Sequence, residues 1–125
     1  MPRTNVQYLG AVSRARMVRE LLQAQILLYP SNYDELFCVA VSEAQYAACY
    51  PITSALGALP TTNMGTVLDL DPNNPQNDVR FANEVIELLN NPMELAYKQQ
   101  IVYEKAKERF NPQRILAQWD NEVFN

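Results

Sequence analysis

The fold class is restricted first by a short apolar run, Ile26 to Tyr29, that stops at Pro30. A short run without polar alternation is typical of a strand covered on both faces, as in a parallel sheet. Other β-prone segments lie at 6–10, 51–53 and 65–69, and helical patterns or loops separate them. Because parallel strands need crossover segments, this order predicts an α/β fold with a small parallel sheet of three or four strands and Rossmann-like βαβ order.

Helical patterns fill the segments between strands and the end of the chain. Ser13 is a suitable N-cap for a first helix with Met17, Leu21 and Leu22 at helical spacing. A second helix is predicted over 36–48, apolar nearly all round and therefore buried. Three more are predicted over 78–90, 93–110 and 111–125. Their expected inner positions are Val79, Ala82, Val85, Ile86 and Leu89 in the first, Leu95, Ile101, Val102 and Ala106 in the second, and Ile115, Leu116, Trp119 and Val123 in the third.

The composition indicates one globular domain over residues 1–125, with strand and helix alternation over 1–77 and a helical tail over 78–125. Hydrophobic residues make up 48% of the 125 residues and charged residues 19%. The net charge of −4, without a basic stripe, argues against a nucleic-acid partner. No apolar stretch approaches the ~20 residues of a membrane span. The chain is therefore expected to be cytoplasmic.

The residue types exclude several kinds of site. Histidine is absent, so Ser-His-Asp and Cys-His catalysis are excluded. A catalytic zinc site is not expected either, because such sites commonly use histidine ligands. With only three glycines the chain has neither a P-loop nor a GxGxxG motif. Cys38 and Cys49 lie in an apolar segment, where reduced core cysteines are more common than a disulfide. No metal or other cofactor is predicted.

The chemistry is expected between Pro30 and Ala44. In open α/β sheets, ligands bind beyond the carboxyl ends of the strands, and a helix that starts there can hold a phosphate on its free N–H groups. Glu35 would stand at the mouth of this site, and Glu43 would lie within the helix.

Glu43 needs a partner, because a carboxylate in an apolar helix is costly unless it is paired. A ribose diol is one suitable partner, since its two hydroxyls can donate to both carboxylate oxygens. The alternative is structural. Glu35 is then a first-turn residue favoured by the helix dipole, and Glu43 bonds a backbone N–H or an arginine.

The same stretch resembles the retaining glycosyltransferases of the group 1 family, which have the GT-B fold of two facing Rossmann-like domains. That family has a proline-serine loop, a glutamate, seven residues and a second glutamate, and Glu35 and Glu43 match this spacing. The resemblance extends over nearly the whole chain. Its other pieces are Tyr8-Leu9-Gly10, Ser31, Phe37, Glu43 through Pro51, Gly57-Ala58-Leu59-Pro60, and Asn111-Pro112 with the Trp119 helix.

The resemblance implies a nucleotide-diphosphate sugar as donor substrate. Glu35 is implied as the catalytic-site residue that accepts hydrogen bonds from the transferred sugar, and Glu43 as the residue that holds the nucleotide ribose. The remaining donor-binding positions that it implies are Ser31, Leu36, Phe37, Cys38 and Val39. Transfer in this family retains the anomeric configuration and usually needs no catalytic metal.

The chain departs from the family pattern in several places. Cys38 and Ala48 stand where the family commonly has glycine, and Thr61 where many members have a glutamate. The family's basic diphosphate-binding residues and its acceptor domain have no counterpart in this sequence. We therefore expect a fragment, a truncated reading frame or a degenerate relative that transfers no sugar by itself. The resemblance alone does not decide whether the chain is an enzyme. Its expected partners are a missing N-terminal acceptor domain or a second copy of itself.

One alternative stays open beside the glycosyltransferase hypothesis. It is a non-catalytic Rossmann-like remnant that acts as a protein-interaction or self-association module, because a partial domain exposes apolar surface. A signalling receiver is a weaker hypothesis, since no lysine precedes Lys98.

Overall fold

A computed structural model describes residues 6–30, 39–69 and 74–109. The elements in chain order are α1 (Arg14–Gln23), β1 (Ile26–Tyr29), α2 (Val39–Tyr46), β2 (Tyr50–Ser54), α3 (Leu59–Thr62), β3 (Thr66–Leu68), α4 (Asn77–Leu89) and α5 (Pro92–Arg109).

The three strands form one parallel sheet in the order β1-β2-β3. Leu28 pairs with Ile52, and Ile52 pairs with Thr66. The predicted α/β class, with a small parallel sheet and Rossmann-like order, is confirmed.

Two sets of helices cover the two faces of the sheet. Ile26 packs with the largest apolar cluster, which joins the sheet to α4 and α5, whereas Leu27 packs with the clusters that join it to α1, α2 and α3. Consecutive residues of a strand face opposite sides of the sheet, so these clusters cover opposite faces. The cover over β1 is less complete than the sequence predicts, because Leu28 is 43% exposed.

The first helix begins as predicted. The Ser13 hydroxyl accepts a hydrogen bond from Arg16 N at 3.1 Å, which satisfies one of the free N–H groups of the first turn. The predicted strand at 6–10 is wrong, since these residues have no regular structure. Val6 and Tyr8 are exposed, and the segment pairs with none of the three strands. β-propensity without a partner strand does not make a strand.

The inner face predicted for α4 is wrong except at Val85, which is half-buried; Ala82 is exposed. Phe81 and Leu88 are the buried residues of this helix, with Val85 packed beside them, whereas Val79, Ile86 and Leu89 are exposed. Both sets recur at helical spacing, so the pattern alone does not decide between them. The larger Phe81 ring packs on the sheet and fixes the rotation of the helix.

The remaining helices follow the predicted spacing with small changes. In α5, Leu95, Val102 and Ala106 are buried as expected, and Ile101 is half-buried. The loop predicted over 56–60 ends in α3, which begins at Leu59. The helix predicted over 111–125 lies outside the described residues.

Candidate functional site

Glu43 lies in α2 and pairs with an arginine from α1. Its Oε1 accepts a hydrogen bond from Arg14 Nη1 at 2.6 Å. The Glu43 side chain is 22% exposed and that of Arg14 71%. The sequence left open whether this carboxylate binds a ligand or an arginine, and an arginine is what it contacts in the structure. The pair is at the surface and not sealed in the core, so the carboxylate remains accessible.

A cavity of about 200 Å³ lies between α1 and α2, beside this ion pair. The pair provides its charged groups, and most of the remaining wall is apolar. The residues that line it are Arg14, Val18, Leu21, Leu22, Glu43, Tyr46 and Ala47.

The topology places Arg14 at the carboxyl edge of the sheet and Glu43 in the middle of α2. α1 leads directly into β1, and α2 leads directly into β2, so each helix runs against the strand direction. Both helices therefore begin at the carboxyl edge of the sheet. Arg14 is the first residue of α1, and Glu43 lies between the two ends of α2. Open α/β sheets bind their ligands at this edge.

Buried amide side chains fix α2 against the chain that leads into β3. Gln45 is fully buried; its Nε2 donates to Thr62 O at 3.0 Å, and its Oε1 accepts from Met64 N at 2.7 Å. Asn63 Nδ2 donates to Thr53 Oγ1 at 2.7 Å. Because Gln45 is only two residues from Glu43, these bonds also restrict the orientation of the helix that carries the carboxylate.

Most of the predicted donor site lies outside the described residues. This holds for Ser31, Glu35, Leu36, Phe37 and Cys38. Val39 is the first residue of α2, at the end of the helix that faces the carboxyl edge. Of the two predicted carboxylates, only Glu43 is therefore described.

Sequence reasoning missed Arg14 and Gln45. A cation at the first position of a helix is disfavoured by the helix dipole, so Arg14 carried a signal that something else holds it there. Gln45 carried a different signal, because a long polar side chain in a helix predicted to be buried needs hydrogen-bond partners.

Cys49 is buried and free, in agreement with the prediction of a reduced core cysteine. Burial raises the pKa of its thiol to about 11, because the thiolate would lose its hydration. Such a thiol is inert at neutral pH, so Cys49 belongs to the core and not to a reactive site.

Within 6–30, 39–69 and 74–109, no group of three or more acidic, histidine or cysteine side chains is arranged to hold a metal ion. None of the helices in these ranges combines the length and the apolarity that crossing a membrane requires.

A family model matches most of the chain. The model described as "Glycosyl transferases group 1" matches residues 1–109. No curated protein and no solved structure matched the chain significantly. The matched range includes the parallel sheet, the cavity and both predicted carboxylates, and it extends over most of the 125 residues. The chain therefore belongs to the group 1 glycosyltransferase family.

Proposed function

We propose that this chain binds a nucleotide-sugar donor for retaining glycosyl transfer, as part of a GT-B C-terminal domain. Glu43 is the residue that carries the proposal. Its carboxylate lies in the middle of α2, beside a cavity, and pairs with Arg14, which begins α1 at the carboxyl edge of the sheet. A ribose diol would donate to this carboxylate through its two hydroxyls.

The other donor contacts are proposed from the order of the chain. Glu35 accepts hydrogen bonds from the transferred sugar, and Ser31 with the N–H groups of Leu36 to Val39 holds the diphosphate and sugar. The start of a helix favours an anion, which supports a diphosphate at this end of α2.

Calorimetric titration of the 125-residue chain with UDP, GDP and ADP tests the proposal. Saturable heat with at least one nucleotide is expected. An absence of heat with all three would contradict donor binding and leave only common ancestry with the enzymes of the family.

Self-association is a second candidate function, because large apolar side chains are exposed on two surfaces. Met17 and Leu22 lie on α1, and Val79, Ile86 and Leu89 lie on α4. Exposed apolar residues that group on one surface mark interfaces when the patch is large. Light scattering at dilute concentration distinguishes the two outcomes: a dimer supports this function, and a clean monomer contradicts it.

A further inference from the structure

We propose that Arg14 is a positioning residue of the donor site, and that it helps the site to distinguish ribose from 2′-deoxyribose. This inference rests on the proposed function of Glu43. The observation behind it is the bond of 2.6 Å from Arg14 Nη1 to Glu43 Oε1 at the edge of the cavity.

The location of Arg14 is unfavourable for a helix alone. It is the first residue of α1, where the helix dipole repels a cation, and the first turn has no acidic residue. Arg16 in the same helix pairs with Glu20 one turn away, as expected of a surface pair. Arg14 instead pairs with a carboxylate 29 residues along the chain, on another helix. The contact with Glu43 offsets the cost of this location and joins α1 to α2.

The pairing leaves room for a ligand on the same carboxylate. An ionised carboxylate can accept about four hydrogen bonds. Among the described residues, Arg14 alone donates to this carboxylate, and it does so at Oε1, which leaves Oε2 for hydroxyl donors. The arginine therefore does not need to leave before a diol binds.

A carboxylate that is already oriented favours a diol more than a single hydroxyl. Two hydroxyls on one ring must meet two acceptor directions at once, and an acceptor with restricted rotation pays less entropy on binding. A single hydroxyl can bind a carboxylate in many orientations, so it gains less from a carboxylate that is already oriented. Arg14 should therefore affect the binding of a ribonucleotide more than that of its 2′-deoxy counterpart.

The test compares the Kd of the tightest-binding nucleotide among UDP, GDP and ADP with the Kd of its 2′-deoxy form. In the R14Q variant the ratio of the deoxy Kd to the ribo Kd should fall by about threefold, as befits a pair with one exposed partner. R14K keeps the cation and should restore part of the ratio. R16Q is the matched control, because it breaks the Arg16–Glu20 pair of the same helix and should leave the ratio unchanged.

Two results would overturn the role of Arg14 while donor binding stands. In one, wild-type chain discriminates against the deoxynucleotide and R14Q does so equally. In the other, R14Q binds the ribonucleotide more tightly, which would make Arg14 a competitor of the ribose. If the wild-type chain binds no nucleotide, the proposed function fails and this inference fails with it.

Discussion

The Gln45 side chain accepts a hydrogen bond from the backbone N–H of Met64 at 2.7 Å and so joins α2 to the segment before β3. The same amide donates to Thr62 O, so the Gln45 side chain binds the backbone on both sides of Asn63. Gln45 is fully buried, so no water can replace it without opening the core.

Gln45→Leu should lower the free energy of unfolding by about 2 kcal/mol, because it leaves a donor and an acceptor of the turn without partners. Urea unfolding measures the change. Gln99→Leu is the control, since its amide bonds Gln25 O at an exposed position and should change stability by less than about 0.5 kcal/mol. If the two variants lost the same free energy of unfolding, the buried hydrogen bonds of Gln45 would stabilise the fold no more than the exposed bond of Gln99.

The sequence predicted the sheet more successfully than the helix faces. Two short segments, one ended by Pro30 and one that begins near Pro51, are too short for a regular helix. Both are strands in the structure. In α4 several apolar residues surround the helix, and only packing of Phe81 on the sheet selects the buried face. The bond from Arg14 to Glu43 depends on two helices meeting in space, which local spacing does not predict.

Ala48→Gly should stabilise the chain. Ala48 follows α2 with φ of 58°, a left-handed conformation that glycine adopts without cost. We expect a gain of about 0.5–1 kcal/mol, since relief of strain exceeds the added entropy of the unfolded chain.

Urea unfolding checks the gain, with Ala96→Gly as control. Ala96 is exposed within α5, where glycine should cost about 1 kcal/mol. A loss of stability in both variants would contradict the role given to the Ala48 backbone.

Gly65→Ala should destabilise the sheet. A Cβ at residue 65 would lie 2.5 Å from Pro51 O and 3.0 Å from Pro51 Cδ, so β2 and the start of β3 would have to separate. The expected loss is about 2–3 kcal/mol, as for overpacking in a core.

Gly10→Ala is a useful comparison for thermal unfolding, because its φ is +66° but the nearest atom to an added Cβ is 3.8 Å away. It should cost about 1 kcal/mol from backbone strain alone. A larger loss for Gly10→Ala than for Gly65→Ala would contradict the close approach of the strands.

The Cys49 thiol should be unreactive in the folded chain. Burial raises its pKa from 9.0 to about 11, so the folded state holds its proton more tightly than the unfolded state. Its contribution to stability is present below pH 9.0 and is lost as the pH rises toward about 11. In the Cys38→Ala variant Cys49 is the only thiol. Labelling of this thiol at pH 8 should be slow without urea and fast in urea. Equal labelling rates in the two conditions would show that Cys49 is not protected.

Donor binding through Glu43 is tested most directly by the affinity of Glu43→Gln for the nucleotide that the wild-type chain binds best. A neutral amide keeps the size of the side chain and loses a charged acceptor, so its Kd should rise about tenfold. Glu20→Gln makes the same change in the other arginine pair of α1 and should leave the Kd unaltered. Equal Kd values in the wild-type chain and in both variants would contradict Glu43 as the ribose-binding carboxylate.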